Sequence, residues 1–278
     1  MDTIRGALAA VKRFFQNKGR IGKVVLASSL LLGSIAAVHA EGEGKASLDT
    51  AEAYSNRAVE YYQQGDYPKA LEWFQKALVI REKVLGKAHP DTATTYNNIA
   101  VVYDSQGDYP KALEWNQKAL VIREKVLGKE HPDTAMSYNN IAAVYDSQGD
   151  YPKALAWYQK ALVIQEKVLG KAHPLTATTY NNIAGVYDSQ GEYPKALEWY
   201  QTALVILEIV LGKAHPDTAA TYNNIASVYY SQGDYPKALD WFQKALVISE
   251  KVLGKAHPDT ATTYNNIAEV YRNQGDYP

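Results

Sequence analysis

The chain has 278 residues, 46% hydrophobic and 21% charged, which is enough apolar material for a sizeable core. It contains no cysteine, which excludes disulfides, thiolate metal sites, cysteine nucleophiles and lipid-modified cysteine. The formal net charge is -1, and the first 40 residues hold six basic groups and one acidic group, so removing their net +5 leaves about -6 on the remainder. A body of that charge offers no net positive field to phosphates, which argues against nucleic-acid binding.

Residues 1–40 have the pattern of an export signal. A basic segment ends at Lys23, an apolar run "VVLASSLLLGSIAAV" covers 24–38, and "VHA" places small residues before a cleavage position after Ala40. The run is shorter than the ~20 residues that a membrane-spanning helix usually needs. The pattern predicts a cleaved signal peptide and an exported protein, periplasmic or secreted, followed by a linker at 41–47. The alternative is an uncleaved anchor in the inner membrane, which would be the chain's only contact with a membrane.

From residue 48 onward the sequence repeats itself. The phrase "YNNIAVVYDSQGDY" begins at Tyr96 and returns with small changes in each later unit. The glycine of the phrase recurs with a constant step of 42 residues, the difference between Gly65 and Gly107. Self-similarity at a period of ~20 to 50 residues indicates a solenoid or a propeller.

Each repeat is predicted to contain two helices. Apolar residues in both halves of the unit follow the i, i+3, i+4, i+7 spacing of a helix face. Between the halves, "QGDYP" supplies a break, in which Gly107 takes a positive φ, Asp108 caps and Pro110 fits the first turn of the second helix. "KAHPDTA" separates one unit from the next, so each repeat is a helical hairpin with two short loops.

The two ends of the repeat region differ. Arg57 and Glu60 in the first repeat stand where every later repeat has Ile and Val, which is the polar outer face expected of a terminal repeat. The last complete helix keeps its apolar Ile267 and Val270, and the sequence stops at Pro278 in the first turn of a further helix. This predicts that the chain is a fragment, or an early-stopping product, of a longer protein.

The order of residues in the unit resembles the tetratricopeptide repeat signature. The residues that carry the resemblance are Tyr96, Ile99, Ala100, Tyr103, Gly107, Tyr109, Ala112 and Ala119. The usual unit has 34 residues, and the added "LGKAHPDTA" and Asn pair resemble the longer class typified by kinesin light chains. The resemblance covers 48–278 and implies an all-α solenoid, a right-handed superhelix of antiparallel helical hairpins. We expect five full repeats plus the first helix of a sixth.

The resemblance also implies that the first helices line a concave groove, which binds an extended peptide or a partner's helix. On a helical wheel this groove is the arc opposite the buried stripe of each first helix. Asn side chains suit it, because an amide both donates to and accepts from a peptide backbone. The predicted groove residues are Asn97, Asn98, Val101, Asp104, Asn139, Asn140, Ala143, Asp146, Asn181, Asn182, Gly185, Asp188, Asn223, Asn224, Ser227, Tyr230, Asn265, Asn266, Glu269 and Arg272.

Two aspects of this groove stay open at the level of sequence. The second Asn of each pair could instead bond between neighbouring helices, and the pair could simply be inherited by duplication. The places of Val101 and Asp104 vary among similar repeats, which fits either side-chain selection of a ligand or drift at solvated positions. The arc lacks the Lys of a chaperone carboxylate clamp, and until Arg272 it lacks the basic residues of kinesin light chains, so neither ligand class is expected. Its acidic places favour a neutral or basic segment.

Other recurring residues are predicted to be structural. One His per repeat lies a hairpin away from the next, too far for the ~2 Å ligand distances of one metal ion, and is expected to be a turn residue before a helix. One Trp per repeat is expected to pack in the second helix. Ile209 is predicted to be exposed on the outer face, with Leu207 closer to the core; together with Leu175 they form a possible small contact patch.

No catalytic constellation or phosphate-binding loop emerges, because the polar residues recur in register with the scaffold. The leading hypothesis is therefore a non-enzymatic scaffold for a protein or peptide partner, with no cofactor, metal or small-molecule substrate. Two alternatives remain. The repeats could be the sensor region of a larger protein with an effector such as a caspase-like peptidase, or a structural spacer.

Overall fold

The structure is a computed structural model that describes residues 42–275, which form eleven α-helices and no strand. The first helices of the hairpins are α1 (Gly42–Gln63), α3 (Pro90–Ser105), α5 (Pro132–Ser147), α7 (Pro174–Ser189), α9 (Pro216–Ser231) and α11 (Pro258–Gln274). The second helices are α2 (Tyr67–Val84), α4 (Tyr109–Val126), α6 (Tyr151–Val168), α8 (Tyr193–Val210) and α10 (Tyr235–Val252). This confirms the predicted all-α architecture of five hairpins plus one further helix.

Three segments with sequence predictions lie at or beyond the ends of the described part. The predicted leader at 1–40 and the last residues, 276–278, lie outside it. Residues 42–47, predicted as part of a linker, are the first turns of α1. None of the helices in 42–275 is long and apolar enough to cross a bilayer.

The described residues fall into two compact units, which divide within α6 between Ile164 and Gln165. In the first unit α1 to α5 pack in chain order, and α3 also touches α5. In the second unit α7 to α11 do the same, and α7 also touches α9. Within each unit, hairpins therefore stack side by side with their first helices adjacent, as in a helical solenoid.

The "QGDYP" loop has the local chemistry that the sequence predicts. Gly107 has φ +77°, in the left-handed region that favours glycine. The Asp108 carboxylate accepts the backbone N–H of Lys111 at 3.3 Å, and Pro110 lies in the first turn of α4. The loop thus ends one helix and starts the next within a few residues.

The "KAHP" loop shows what the recurring histidine does. His89 is the N-cap of α3, and its Nδ1 accepts the backbone N–H of Asp91 at 3.1 Å. Thr92 then donates its hydroxyl to the carbonyl of Gly86 at 2.9 Å, which ties the new helix to the end of the previous one. The same cap recurs at His131, His173, His215 and His257. This confirms the predicted role of a turn residue before a helix.

The tyrosine that opens each "YNNIA" phrase joins three helices. The ring of Tyr96 in α3 lies 5.4 Å from that of Trp115 in α4, and its hydroxyl donates to Glu82 in α2 at 2.7 Å. Small residues between them, such as Ala93 and Ala100, are fully buried and let the helices approach closely. The tryptophans are half-buried against these tyrosines, which confirms their predicted use in packing.

Surface exposure agrees with the sequence predictions for the terminal and outer residues. Arg57 and Glu60 are exposed on α1. Tyr264 on α11 is 37% exposed, whereas the equivalent Tyr96 is 7% exposed, because Tyr96 packs against Trp115 on the second helix of its own hairpin and the described residues include no second helix after α11. Ile209 is 77% exposed and Leu207 is 2% exposed, as expected.

One buried place of the second helix distinguishes the second repeat. The other four repeats have a buried aromatic ring there, namely Phe74, Tyr158, Tyr200 and Phe242. The second repeat has Asn116, which is 2% exposed. Its Nδ2 reaches only the carbonyl of Asn140 at 3.5 Å, and its Oδ1 has no partner among the described residues. A buried amide oxygen without a donor destabilises a fold by about 1–3 kcal/mol.

We expect Asn116→Phe to raise the free energy of unfolding by about 1–3 kcal/mol, because it removes the unpaired oxygen and buries apolar surface. Phenylalanine at this place is compatible with valine at the place of Val101, since the first repeat combines Phe74 with Val59. Chemical denaturation monitored by circular dichroism measures the change. Asn116→Ala is the control and should lower stability by leaving a cavity. A less stable Phe variant would show that the site needs its polar group.

Candidate ligand groove

The predicted groove residues differ in depth. Five of the asparagines are buried, namely Asn97, Asn98, Asn139, Asn140 and Asn181. Four are half-buried, namely Asn182, Asn223, Asn224 and Asn266, and Asn265 on the last helix is exposed. The places of Val101 and Asp104 are half-buried from the second to the fifth repeat, and Glu269 and Arg272 in the sixth are exposed. The accessible part of the predicted groove is thus formed mainly by these two variable places.

The first Asn of the pair bonds to the next hairpin. Asn181 Nδ2 donates to Thr221 Oγ1 at 3.1 Å, and Asn223 Nδ2 donates to Thr263 Oγ1 at 3.1 Å. Each bond crosses from one first helix to the next. Sequence reasoning had raised a bond between neighbouring helices only for the second Asn, whereas here the first Asn makes it. The Oδ1 of Asn181 keeps no partner among the described residues.

In the second repeat this bond is replaced by an arginine. Ser137 stands where Thr221 stands two repeats later, and it accepts Arg123 Nη1 at 2.9 Å. Arg123 is 3% exposed and also donates to the carbonyl of Asp133 and to Thr94 Oγ1, both at 3.2 Å. Burial lowers the pKa of the guanidinium, and nearby carboxylates partly oppose that shift. The amide of Asn97 consequently has no partner among the described residues.

The place of Arg123 was missed at the level of sequence. It holds Arg81, Arg123, Gln165, Leu207 and Ser249 in successive repeats. Arg81 donates to Thr95 at 2.6 Å, and Gln165 accepts from Thr179 at 2.6 Å. The signal was available, because this is a buried-stripe position whose chemistry changes in every repeat but one.

The variation at the place of Val101 correlates with the residue that packs beneath it on the second helix. A side chain added at Gly185 would place its Cβ 3.5 Å from the hydroxyl of Tyr200. The two repeats with a buried tyrosine have the smallest residues here, Ala143 and Gly185, whereas the repeats with phenylalanine or asparagine have Val or Ser. A Cβ at that distance would make an ordinary van der Waals contact, so the structure shows a correlation between small residues and buried tyrosines, which links this variation to packing within the hairpin as well as to a ligand.

The carboxylates at the place of Asp104 give the groove its electrostatic character. Burial raises the pKa of Asp146 to about 6, with a smaller contribution from the charge of Asp104. Burial likewise raises the pKa of Asp188 to about 6. Neither Asp146 nor Asp188 forms an ion pair with a described residue, and Asp146 Oδ1 is buried without a hydrogen bond. Each carries a charge at neutral pH that the fold does not compensate.

The last two places of this set depart from the acidic pattern. Tyr230 is half-buried and bonds to Asn273, and the exposed Arg272 pairs with Glu269 at 3.2 Å. Residues 42–275 contain no group of three or more His, Cys, Asp or Glu side chains arranged to hold a metal ion. The place of Asp104 is therefore acidic at Asp146 in the first unit and at Asp188 in the second, and the last helix carries mixed charges.

Comparison with known families decides what kind of repeat this is. The family model for the tetratricopeptide repeat matches residues 49–125, 105–167, 147–209 and 217–278. The chain belongs to the tetratricopeptide repeat family. No curated protein is similar enough to count as a relative.

Solved structures with the same fold include tetratricopeptide proteins of the kinesin-light-chain type. BtubC (BKLC) from P. vanneervenii is 24% identical, with 85% of this chain and 86% of that chain covered and a TM-score of 0.59. A putative kinesin light chain from Podosopora anserina with nearly identical TPR-like repeats is 24% identical, with 76% and 98% covered and a TM-score of 0.55. Aspartyl phosphate phosphatase F from Bacillus subtilis is 17% identical, with 89% and 65% covered and a TM-score of 0.62. At these identities the likeness establishes the fold.

We expect Asp146→Asn to stabilise the protein by about 1–3 kcal/mol at pH 7, because the folded state must hold an ionised carboxylate whose pKa burial raises to about 6. The sign follows from linkage: a raised carboxyl pKa means that folding favours the protonated form, so the penalty disappears as the pH falls towards 4. Urea denaturation at pH 7 and at pH 4 measures the change in the free energy of unfolding at each pH.

Asp150→Asn is the matched control. Its hydrogen bond and ion pair with Lys153, 2.6 Å away, lower the pKa of the Asp150 carboxyl, so its loss should cost a little stability at neutral pH. Equal effects of the two substitutions, or a gain for Asp146→Asn that persists at pH 4, would contradict the assignment of a buried uncompensated charge.

Proposed function

We propose that the chain is an exported, non-catalytic protein-interaction scaffold that holds an extended segment of a partner protein against the first helices of its repeats. The observation that carries the proposal is the pair of half-buried carboxylates without ion-pair partners, Asp146 in the first unit and Asp188 in the second. A fold keeps a charge in such a place at a cost in stability, and a ligand that supplies the opposite charge removes that cost. Membership of a family of stacked helical hairpins supports the same function.

The partner segment is proposed to be basic. A lysine or arginine placed against Asp146 or Asp188 would form an ion pair in a partly desolvated position, where charge pairs are stronger than at an exposed surface. The side chains at the place of Val101, namely Val101, Ala143, Gly185 and Ser227, would set how much room each repeat leaves for the segment. Mixed charges at Glu269 and Arg272 would make the last helix less suited to a basic segment than the acidic places.

The asparagine ladder has a narrower role in this proposal than the sequence alone predicts. Asn181 donates its N–H to the next hairpin and its oxygen is left to accept from a ligand, whereas the oxygen of Asn223 already accepts from Thr263 at 3.4 Å. In the second repeat both polar atoms of Asn97 are unpaired. These atoms lie beneath the surface, so contact with a peptide backbone would run through a bridging water or a rotation of the side chain. The sensor and spacer hypotheses stay predictions.

We expect a labelled peptide of repeating Lys-Gly-Ser to bind the full chain more tightly than its Glu-Gly-Ser counterpart, as measured by fluorescence anisotropy. The double substitution Asp146→Asn with Asp188→Asn should weaken binding of the basic peptide by roughly tenfold, about 1.4 kcal/mol. Affinity should also fall from pH 7 to pH 5, because both carboxyl groups have a pKa of about 6 and become protonated.

The control is Asp150→Asn with Asp234→Asn. These two carboxylates cap helices and already pair with Lys153 and Lys237, both at 2.6 Å, and asparagine preserves the cap. The control should leave affinity unchanged. Equal binding of both peptides, or equal losses in the two double variants, would refute the basic-segment proposal.

A further inference from the structure

A second surface of the first unit combines apolar and cationic groups. It is a shallow groove of about 600 Å³ on the exposed face of α4, beside the loop that joins α2 to α3. Its apolar walls are formed by Ala88, Tyr96, Val121 and Ile122. This groove, here called the lysine-rimmed groove, lies on the second helix of the repeat and contains none of the predicted ligand-groove residues.

The apolar wall is open to solvent. Val121 is 55% exposed, and the equivalent Val79 in the first repeat is 67% exposed. Val126, at the end of α4, is 48% exposed. Of these three valines only Val121 lines the groove, together with the half-buried Ile122. Single exposed apolar residues are ordinary on a soluble protein, but an exposed valine within an apolar groove marks a surface suited to an apolar partner.

The rim of the groove is positively charged. Among the residues that line it, Lys87, Lys118 and Lys125 stand against one carboxylate, Glu114. Lys118 pairs with Glu114 at 2.7 Å and lies over the ring of Trp115. Lys87 and Lys125 form no ion pair or hydrogen bond with any residue between 42 and 275. The rim therefore has two lysines without an ion pair, although the equivalents of Lys87 in later repeats, Lys171 and Lys213, lie 3.9 and 3.8 Å from a glutamate.

Lysines near the other end of the same helices behave differently. Where "QGDYPK" starts a second helix, the lysine of each loop in this unit is neutralised. Lys69 lies 2.7 Å from Asp66, Lys111 lies 2.6 Å from Asp108, and Lys153 lies 2.6 Å from Asp150. The lysines at the start of these second helices are therefore ion-paired, whereas Lys87 and Lys125 lie at the opposite end of the helices.

A structural explanation covers part of this pattern. Lys125 lies in the last turn of α4, where a cation interacts favourably with the helix dipole. Lys87 lies in the loop beyond the end of α2, so the dipole accounts for it less well, and the dipole does not explain the exposed apolar wall between the two. An apolar wall with a cationic rim matches a molecule that is apolar on one side and anionic on the other.

We propose that the lysine-rimmed groove contacts the surface of an anionic phospholipid bilayer. Lys87 and Lys125 would lie at the headgroup phosphates, where each basic residue near such a surface contributes about 1 kcal/mol of attraction. Val121 and Ile122 would rest against the boundary of the acyl region. A soluble anion would be held by the cations alone and would leave the apolar wall unused, which favours a bilayer. This assignment is independent of the proposed peptide groove, since it involves the second helix and the opposite charge.

Because the chain has no cysteine, a single probe can report on this groove specifically. Ala88→Cys carries an environment-sensitive fluorophore such as NBD, and the full chain is mixed with vesicles of phosphatidylcholine alone or with added phosphatidylglycerol. We expect a blue shift and an intensity gain only with the anionic vesicles. A probe at Gln106→Cys, in a "QGDYP" loop, should not respond, so attachment through residues 24–38 alone is not counted as support.

Charge substitutions test the rim. Lys87→Glu with Lys125→Glu should abolish the response at position 88, and the milder Lys87→Gln with Lys125→Gln should reduce it several-fold. Lys69→Glu with Lys111→Glu changes the net charge equally, and it should leave most of the response intact. Circular dichroism verifies that every variant is folded.

Four results would overturn the proposal. These are no response to anionic vesicles, an equal response to neutral vesicles, an equal loss in the Lys69 and Lys111 control, and the same response to inorganic phosphate without vesicles. The last result would assign the groove to a soluble anion. None of them bears on the basic-peptide test, which reads out a different face.

Discussion

The contact that the rest of the fold depends on is made by one tyrosine per repeat. Tyr96 packs its ring against Trp115 of its own hairpin and donates its hydroxyl to Glu82 of the preceding one. A single side chain thereby fixes the angle within a hairpin and the spacing between hairpins. Repetition of this contact at a 42-residue step makes a stack out of units that could not bury their apolar faces alone.

Much of this could be predicted from the sequence, because the determinants are local. Helix periods, the left-handed glycine at 107, the cap at Asp108 and the turn role of His89 depend on residues within a few positions of one another. The polar outer face at Arg57 and Glu60 could be predicted by comparing one repeat with the next. Near-identity among the repeats made each inference available several times over.

The depth of the groove residues could not be predicted in the same way. A helical wheel gives the direction of Asn97 but not the distance to the neighbouring first helix, which depends on how closely small residues let the hairpins approach. The bond from Asn181 to Thr221 joins residues 40 positions apart, and it forms only once that distance is set. Arg123 was missed for a related reason. The role of a long polar side chain on a buried stripe can be inferred only when its hydrogen-bond partners on the adjacent helices are known.

The structure also separates two kinds of difference among similar repeats. Changes at the place of Arg123 alter hydrogen bonds inside the stack, and the smallest residues at the place of Val101, Ala143 and Gly185, occur where the second helix has a buried tyrosine. The acidic place at Asp146 and Asp188 is the one whose chemistry the interior does not account for. Differences between duplicated units are therefore informative about a ligand only after the packing requirements have been subtracted.

The histidine caps carry a consequence for how the array tolerates acid. Each cap uses an unprotonated Nδ1 as acceptor, so a proton on that atom removes the bond. In four repeats an aspartate carboxylate lies 3.6–3.8 Å from Nδ1 and offers the protonated ring a new partner. At His173 that place is Leu175, and burial there lowers the pKa of the imidazole, so its share of the folding free energy is present at neutral pH and lost as the pH falls. Because of Leu175, the cap at His173 is the one among these five that loses its hydrogen bond on protonation without a nearby carboxylate among the described residues to pair with the charged ring.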